Sequence, residues 1–329
     1  MRTDHFKRLL NKLDELTGPQ QAILRRELAL RSKKLDALEV VESAKTVCSC
    51  THCESNAIVK NGFNRGLQRY LCRHCGKTFN VASATPLSKL RHKGQFLQNA
   101  ECMLQSLSIR ATAKKIGIAV STAFRWRHRF LENVVGHQPK HVTGLLEADE
   151  MYLHESFKGS RHMPRKARRR GLKQRFTLGR SSKPKGRNTK LIPVMVGRLR
   201  GQPHVADCVL EKMNGDETLR ALKEVISSDT LLCTDGNPAF LRIQRELGIP
   251  VKSVATRWHG PVLDKIYHVQ SVNSYHERLK TWLQRKFRGV ATKYLSNYLA
   301  WRRVLEWFKD GIRPEHLIKS ALGKQIINA

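Results

Sequence analysis

The sequence predicts a multidomain chain in which two small modules, one built on cysteines and one on helices, precede a larger α/β domain. Three observations carry this. Two CxxC pairs, CTHC at 50–53 and CRHC at 72–75, stand in the first third of the chain. Two short helical patterns meet at Gly117 within SLSIRATAKKIGIAVSTAFRWRHRF, residues 106–130. From residue 140 the pattern changes to strand-like runs followed by helical ones.

Composition narrows the partner. A length of 329 residues suffices for two or three domains, and 40% apolar residues support a real core. The net charge of +34 and the pI near 10.4 call for a polyanion, with nucleic acid ahead of an anionic membrane surface. No apolar run is long enough to span a bilayer and no signal-peptide pattern follows Met1. The expectation is a cytoplasmic, nucleoid-associated bacterial protein with no membrane partner. Four of the eight cysteines fall in the CxxC pairs, which in the cytosol indicates metal rather than disulfides.

Taken in order, residues 5–38 read as two helices, with Phe6, Leu9, Leu10, Leu13 and Leu16 at helical spacing. Gly18-Pro19 breaks that pattern, and Ile23, Leu24 and Leu28 resume it. No chemistry is visible there, so a packing or self-association element is expected. Cys50, Cys53, Cys72 and Cys75 have the spacing of a structural Zn²⁺ site, in which two tight turns supply a tetrahedron of thiolates. Cys48 is a spare beside them, and His52 and His74 read as surface residues rather than ligands. In the helical pair, Ala113, Ile116, Ala123, Trp126 and Phe130 point inward. Gly117 makes the turn and Ser121 or a neighbour caps the second helix. That leaves Ser121, Thr122, Arg125 and Arg129 facing out, at the end that enters a major groove in a helix-turn-helix.

The larger domain opens with LLEADEMYL, which carries Asp149. KLIPVMVGRL and PHVADCVLE form a hairpin through Arg200-Gly201, and DETLRALKEVIS is an amphipathic helix. LLCTDG is a strand ending in Asp235, AFLRIQREL a helix and VKSVAT a short strand, and two long helices at 270–287 and 293–309 close the domain. Three strands, then helix, strand, helix, strand and helices, is the order of an RNase H-like fold. Its first and fourth strands are neighbours, so Asp149 and Asp235 are expected to meet. Between the first two strands, Ser156 to Ala206 contains no acidic residue, and KARRRGLKQR within it is strongly basic. Arg168, Arg169 and Arg170 there suit a clamp on DNA phosphates, which positions DNA without reading sequence. A disordered basic loop is the plainer alternative.

The chemistry follows from oxygen ligands. Mg²⁺, or Mn²⁺ in its place, favours carboxylates. Two ions about 4 Å apart can activate a nucleophile and stabilise the leaving oxygen of a phosphodiester. Two strand acids could flank such ions, with a third ligand from the helix within HVQSVNSYHERLKTW, residues 268–282. Asn273, Glu277 and Lys280 share one face of that helix. His259, His268 and His276 lack paired ligand spacing and read as DNA contacts or surface residues.

CTHC, CRHC, the helical pair, EADEMY around Asp149, TDG around Asp235, and VNSYHERLKTW followed by FRGVATKYLSNYLAWR occur in an order that resembles one family. The chain is similar to insertion-sequence transposases of the DDE superfamily, in particular the zinc-ribbon group of the family numbered fifteen ninety-five. Its third catalytic position takes Glu, Asn or His, with Lys seven residues on. Here these are Asn273 and Lys280, a departure from the full acid triad. The resemblance implies cleavage of a phosphodiester at each transposon end and attack of the freed 3′-hydroxyl on target DNA. Asp149, Asp235 and Asn273 would hold Mg²⁺, and Lys280 would contact substrate phosphate. The zinc ribbon and helix-turn-helix would recognise terminal inverted repeats in double-stranded DNA. Joining two ends implies a homodimer or larger assembly.

The expected organisation is thus an N-terminal helical segment (1–45), a zinc ribbon (46–85) and a helix-turn-helix (90–135). An RNase H-like catalytic domain (140–312) and a C-terminal tail (313–329) follow. Two other functions are compatible with these parts. One is a DNA-binding regulator derived from a transposase and lacking catalysis. The other is a nuclease of the same fold that cuts without joining. The strand acids argue against the first, and the two DNA-reading modules against the second.

Overall fold

The computed structural model describes residues 7–8, 10–13, 15–160, 191–254, 262–264, 266–308 and 311–324. The chain divides into two compact units, Met1–Asn133 with Arg313–Ala329, and Val134–Ile312.

The first unit begins with α1, Gly18–Ser43. Residues 7–8 and 10–11 are helical as well, and Gly18-Pro19 separates the two helical stretches, as the sequence predicts, by starting this one. Proline has no N–H to lose in a first turn and its φ is already helical. Gln20 accepts the Thr17 backbone N–H at 2.9 Å, which closes the helix start. Ala37 and Val41 near the C-terminal end of α1 are buried, whereas Ile23, Leu28 and Leu35 are exposed. Next come β1 (Ile58–Asn64), β2 (Leu67–Cys72) and β3 (Thr78–Phe79), an antiparallel sheet in that order. The β1–β2 turn places Arg65 and Gly66 at φ 54° and 85°, the two-residue turn whose twist matches a hairpin.

Three helices follow: α2 (Phe96–Leu104), α3 (Ile109–Ile116) and α4 (Val120–Leu131). Phe96 meets Trp126 and Phe130 edge-on at 5.1 and 5.2 Å, and this triangle centres the bundle. Ala113, Ile116, Ala123, Trp126 and Phe130 are buried, and Gly117 turns the chain at φ 76°. The cap of α4 differs from the expectation: its N-cap is Ala119, with no side-chain bond, and Ser121 already lies inside the helix. Residues 314–321 are not a loose tail but a helix, α9 (Pro314–Ala321; the helices between are introduced below), packed on α2 and α4. Pro314 starts it, and Leu317, Ile318 and Ala321 at helical spacing are buried.

The second unit is a five-stranded sheet, β4 (Val142–His154), β5 (Leu191–Leu199), β6 (Val205–Val209), β7 (Ile226–Thr234) and β8 (Val251–Ser253), in the order β6-β5-β4-β7-β8. β4, β5 and β6 are antiparallel, while β7 and β8 add in parallel. The first and fourth strands of the domain are therefore neighbours, as required to bring the two aspartates together. The helix read from DETLRALKEVIS ends early. α5 is Gly215–Leu222, and the β-branched Val225-Ile226 pair leads into β7. Side chains of a strand alternate between faces. Val142, Leu146 and Ala148 join Met195, Leu199 and Leu222 in the core, with Ile243 of α6 (Leu241–Leu247). The opposite face of β4, carrying Glu147 and Asp149, receives α7 (Gln270–Phe287). α8 (Leu295–Trp307) packs along β6. There Arg303 forms a buried ion pair with Asp207, which also accepts the Tyr275 hydroxyl at 3.2 Å. A cluster of Trp282, Phe287, Tyr298 and Trp301 fixes α7 to α8.

Candidate active site

The parallel register of β4 and β7 aligns two carboxylates. Ala148 is the partner of Thr234, so the next residues, Asp149 and Asp235, stand side by side where β7 ends. Gly236, at φ 95°, turns the chain away from the sheet there. A third acid joins them. Asp149, Glu150 and Asp235 each place a carboxylate oxygen within 4.8 Å of the others. Asn237 links the group: its backbone N–H donates to Asp235 Oδ1 at 3.0 Å and its side-chain amide to Glu150 Oε1 at 2.9 Å.

Three acids this close disfavour simultaneous ionisation. Burial, then the charges of Asp235 and Glu150, push Asp149 up to about 7, and Lys280 opposes them. Burial also raises Glu150. Glu150 Oε2 is buried with no hydrogen-bond partner among the described residues. A hard divalent cation fits this set, because it supplies the charge and the coordination that the carboxylates lack.

α7 is aimed at the acids by Glu147, two residues before Asp149 on the same face of β4. Its Oε2 accepts the backbone N–H of Ser271 at 2.8 Å and of Val272 at 3.2 Å, and its Oε1 accepts the Ser271 hydroxyl at 2.9 Å. These are orphan donors of a helix start, where a negative charge is favoured. Arg200 balances Glu147 at 2.8 Å.

The α7 residue that faces the acids is His276, which corrects its reading as a surface or DNA-contacting histidine. It is buried, and its Nδ1 lies 3.8 Å from Asp149 Oδ2. Burial, then Lys280, lowers its pKa to about 4, so the ring is neutral near pH 7 and the contact is not an ion pair. His276 Nε2 is also buried without a hydrogen-bond partner among the described residues. Asn273, chosen from register to complete the set, is exposed one turn earlier. Lys280, one turn after His276, is exposed and pairs with Glu277 at 3.1 Å. The structure thus brings together Asp149 and Asp235, adds Glu150, and places His276 of α7 beside Asp149, with Asn273 exposed one turn earlier. Glu150 escaped the sequence reading because strict alternation sends it to the other face of β4. Its only signal was adjacency to Asp149.

In the first unit Cys50, Cys53, Cys72 and Cys75 converge. The Cys50–Cys75 and Cys53–Cys72 sulfurs are 3.7 and 3.6 Å apart. A Zn–S bond of about 2.3 Å makes the edge of a tetrahedron about 3.8 Å, so the four sulfurs fit Zn²⁺. The backbone N–H of Cys75 lowers the Cys72 thiol to about 6. Cys53 is raised to about 12 although the Ser55 N–H favours its thiolate, because burial and the neighbouring sulfurs oppose it. Cys48 is exposed outside the cluster, as are His52 and His74. On α4, Ser121, Arg125 and Arg129 are exposed, Thr122 is half-buried, and Arg129 pairs with Glu132 at 3.3 Å. Arg168, Arg169, Arg170 and His259 lie outside the described residues.

Residues 141–303 match the family described as ISXO2-like transposase domain. This stretch is similar to that domain. It contains all three acids and α7. The chain is also 28% identical over 254 residues to a protein of Halobacterium salinarum (strain ATCC 700922 / JCM 11081 / NRC-1) described as an uncharacterized protein in transposable element ISH50. That match covers 76% of this chain and 82% of the relative. Among solved structures, a pre-cleavage Mos1 transpososome matches at 11% identity and a TM-score of 0.24, over 68% of this chain and 78% of the other. A Mos1 transposase paired-end complex with left transposon end matches at 12% and 0.24, over 69% and 78%. Those scores are too low to equate the folds. No helix among the described residues is long and apolar enough to cross a membrane.

Proposed function

We propose that the chain is a DNA transposase with an RNase H-like catalytic domain that cleaves phosphodiesters at the inverted-repeat ends of an insertion sequence and joins the 3′ ends to target DNA. The observation that carries it is the convergence of Asp149, Glu150 and Asp235 at two adjacent strands, within a stretch similar to a transposase domain. Asp149 and Asp235 hold Mg²⁺ or Mn²⁺, with Glu150 beside them. A divalent cation bound there supplies Lewis-acid stabilisation to phosphoryl transfer. Asp149, raised to about 7, would have to be ionised to hold the cation, its proton passing to solvent. His276 presents a neutral ring nitrogen from α7, and Asn273 and Lys280, exposed on either side, contact the DNA strand, Lys280 at phosphate.

The four cysteines hold structural Zn²⁺, which makes a small module with little core foldable. Ser121, Thr122, Arg125 and Arg129 meet the DNA ends, and Arg168, Arg169 and Arg170 clamp the backbone. Two ends must be held at once, so the working form is a homodimer or larger assembly on DNA. The test is metal-dependent cleavage and strand transfer on DNA carrying the repeats that flank the coding sequence. Asp149→Ala and Asp235→Ala should bind that DNA and fail to cut it. Wild-type protein that binds the ends but neither cuts nor joins them under Mg²⁺ or Mn²⁺ would leave the regulator reading in its place.

A further inference from the structure

Arg198 of β5, Arg278 of α7 and Arg302 of α8 converge on one carboxylate, Glu306, whose side chain is 2% exposed. The separations are 3.1, 2.6 and 2.7 Å. Burial opposes ionisation of Glu306, but Arg278 and Arg302 outweigh it and hold the carboxyl below its ordinary value. Three guanidinium charges against one carboxylate leave an excess of two.

This cluster borders a cavity of about 760 Å³ walled by Arg198, Gln202, Ser271, Ser274, Arg278 and Trp307, and no acidic residue lines it among those described. Ser271, Ser274 and Arg278 lie three and four residues apart, on a side of α7 turned away from His276 and Lys280. The cavity is therefore separate from the acid cluster. Its volume is in the range of sites that enclose a nucleotide-sized group. Arg198 and Arg278 share the single charge of Glu306 and leave net positive charge at the cavity wall, which, with the Ser274 hydroxyl, matches the oxygens of a phosphate.

We propose that this cavity binds a phosphate of the DNA backbone, as a second anchoring point of the transposase domain away from the reacting bond. This rests on DNA being the substrate. Each guanidinium supplies fixed donors in a plane, so the site positions the strand without reading its sequence.

The test adds charge to the wall without removing a partner of Glu306. Ser274→Glu places a carboxylate beside Arg278, whose Nη1 now donates to Ser274 Oγ at 2.7 Å. Gln202→Glu does the same from the exposed rim. Both variants should melt like wild type. Binding of a short random-sequence duplex is followed by fluorescence anisotropy, without divalent metal, across a salt series. Each variant should bind several-fold more weakly and lower the slope of log K against log salt by about one, the signature of one lost phosphate contact. Unchanged affinity and slope in both variants overturn the proposal. So does a cavity that takes only small anions, seen as stabilisation of wild type by inorganic phosphate that the variants abolish while duplex binding stays the same. Because no metal is present, failure of cleavage elsewhere leaves this result standing. Wild-type protein that binds no duplex at low salt overturns both readings.

Discussion

Glu147 accepts the backbone N–H of Ser271, 124 positions later, at 2.8 Å, and so a strand residue acts as the cap of a distant helix. α7 has no side-chain cap of its own at Val269. The strand that presents Asp149 therefore also fixes the helix that presents His276. Glu147→Ala should cost roughly 3–5 kcal/mol, because it leaves Arg200 and the helix N–H groups without their buried partner. Glu147→Gln, which keeps the shape, should cost less. Chemical denaturation measures both. Cleavage should fall further than folded fraction accounts for, and a variant with wild-type stability would show that the cap is not needed.

The pH dependence of the metal-free protein follows from Asp149. Its folded pKa of about 7 lies above its ordinary 3.8, so the native state holds the proton more tightly than the unfolded chain. Its contribution to stability is complete below about pH 4 and is lost as pH rises through about 7. Divalent cation reverses this, since it binds the carboxylate. In denaturation curves the difference between wild type and Asp149→Asn should narrow at acid pH and widen towards pH 7, and Mg²⁺ or Mn²⁺ affinity should rise over the same interval. A pH-independent difference would contradict the burial argument.

Zinc content is the third expectation. One Zn²⁺ per chain should copurify and be lost from the Cys72→Ser/Cys75→Ser variant, with weaker binding to transposon ends. Folded wild-type protein with no zinc by metal analysis would refute it. Cys48→Ser should change nothing, because Cys48 is exposed outside the cluster.

What the sequence disclosed and what it hid divide along a physical line. Motifs set by local chemistry were legible: the CxxC pairs, the glycine turn at Gly117, the buried positions of α3 and α4, and the strand order that makes Asp149 and Asp235 neighbours. Features set by packing between distant segments were not. Nothing local marks Glu147 as a helix cap, because its donors lie on α7. Residues 314–321 looked like a tail because their apolar positions find partners only in helices far back in the chain. His276 carries no local signal, because a lone histidine has no paired ligand spacing and its burial depends on how α7 is rotated. The sequence points to Asn273 because register with Lys280 can be counted along it, whereas helix rotation cannot.

That difference sets the last prediction, the α7 residue that would complete a metal site at the acids. Asn273, His276, Glu277 and Lys280 occupy neighbouring positions around one side of the helix. Only His276 is buried and near Asp149, with Nδ1 3.8 Å from Oδ2, while Glu277 is exposed and held by Lys280. A ring that is neutral because burial lowers its pKa to about 4 keeps a lone pair free at neutral pH. A nitrogen ligand suits Mn²⁺ better than Mg²⁺. His276→Ala should lose most strand cleavage. His276→Glu and His276→Asn should keep part of it, with the Mn²⁺ over Mg²⁺ preference reduced in the Glu variant. Asn273→Ala should weaken activity mainly through substrate affinity, and Glu277→Ala should change little. If Asn273→Ala abolishes cleavage at saturating DNA while His276→Ala cuts normally, the register reading is right and α7 meets the metal through its amide.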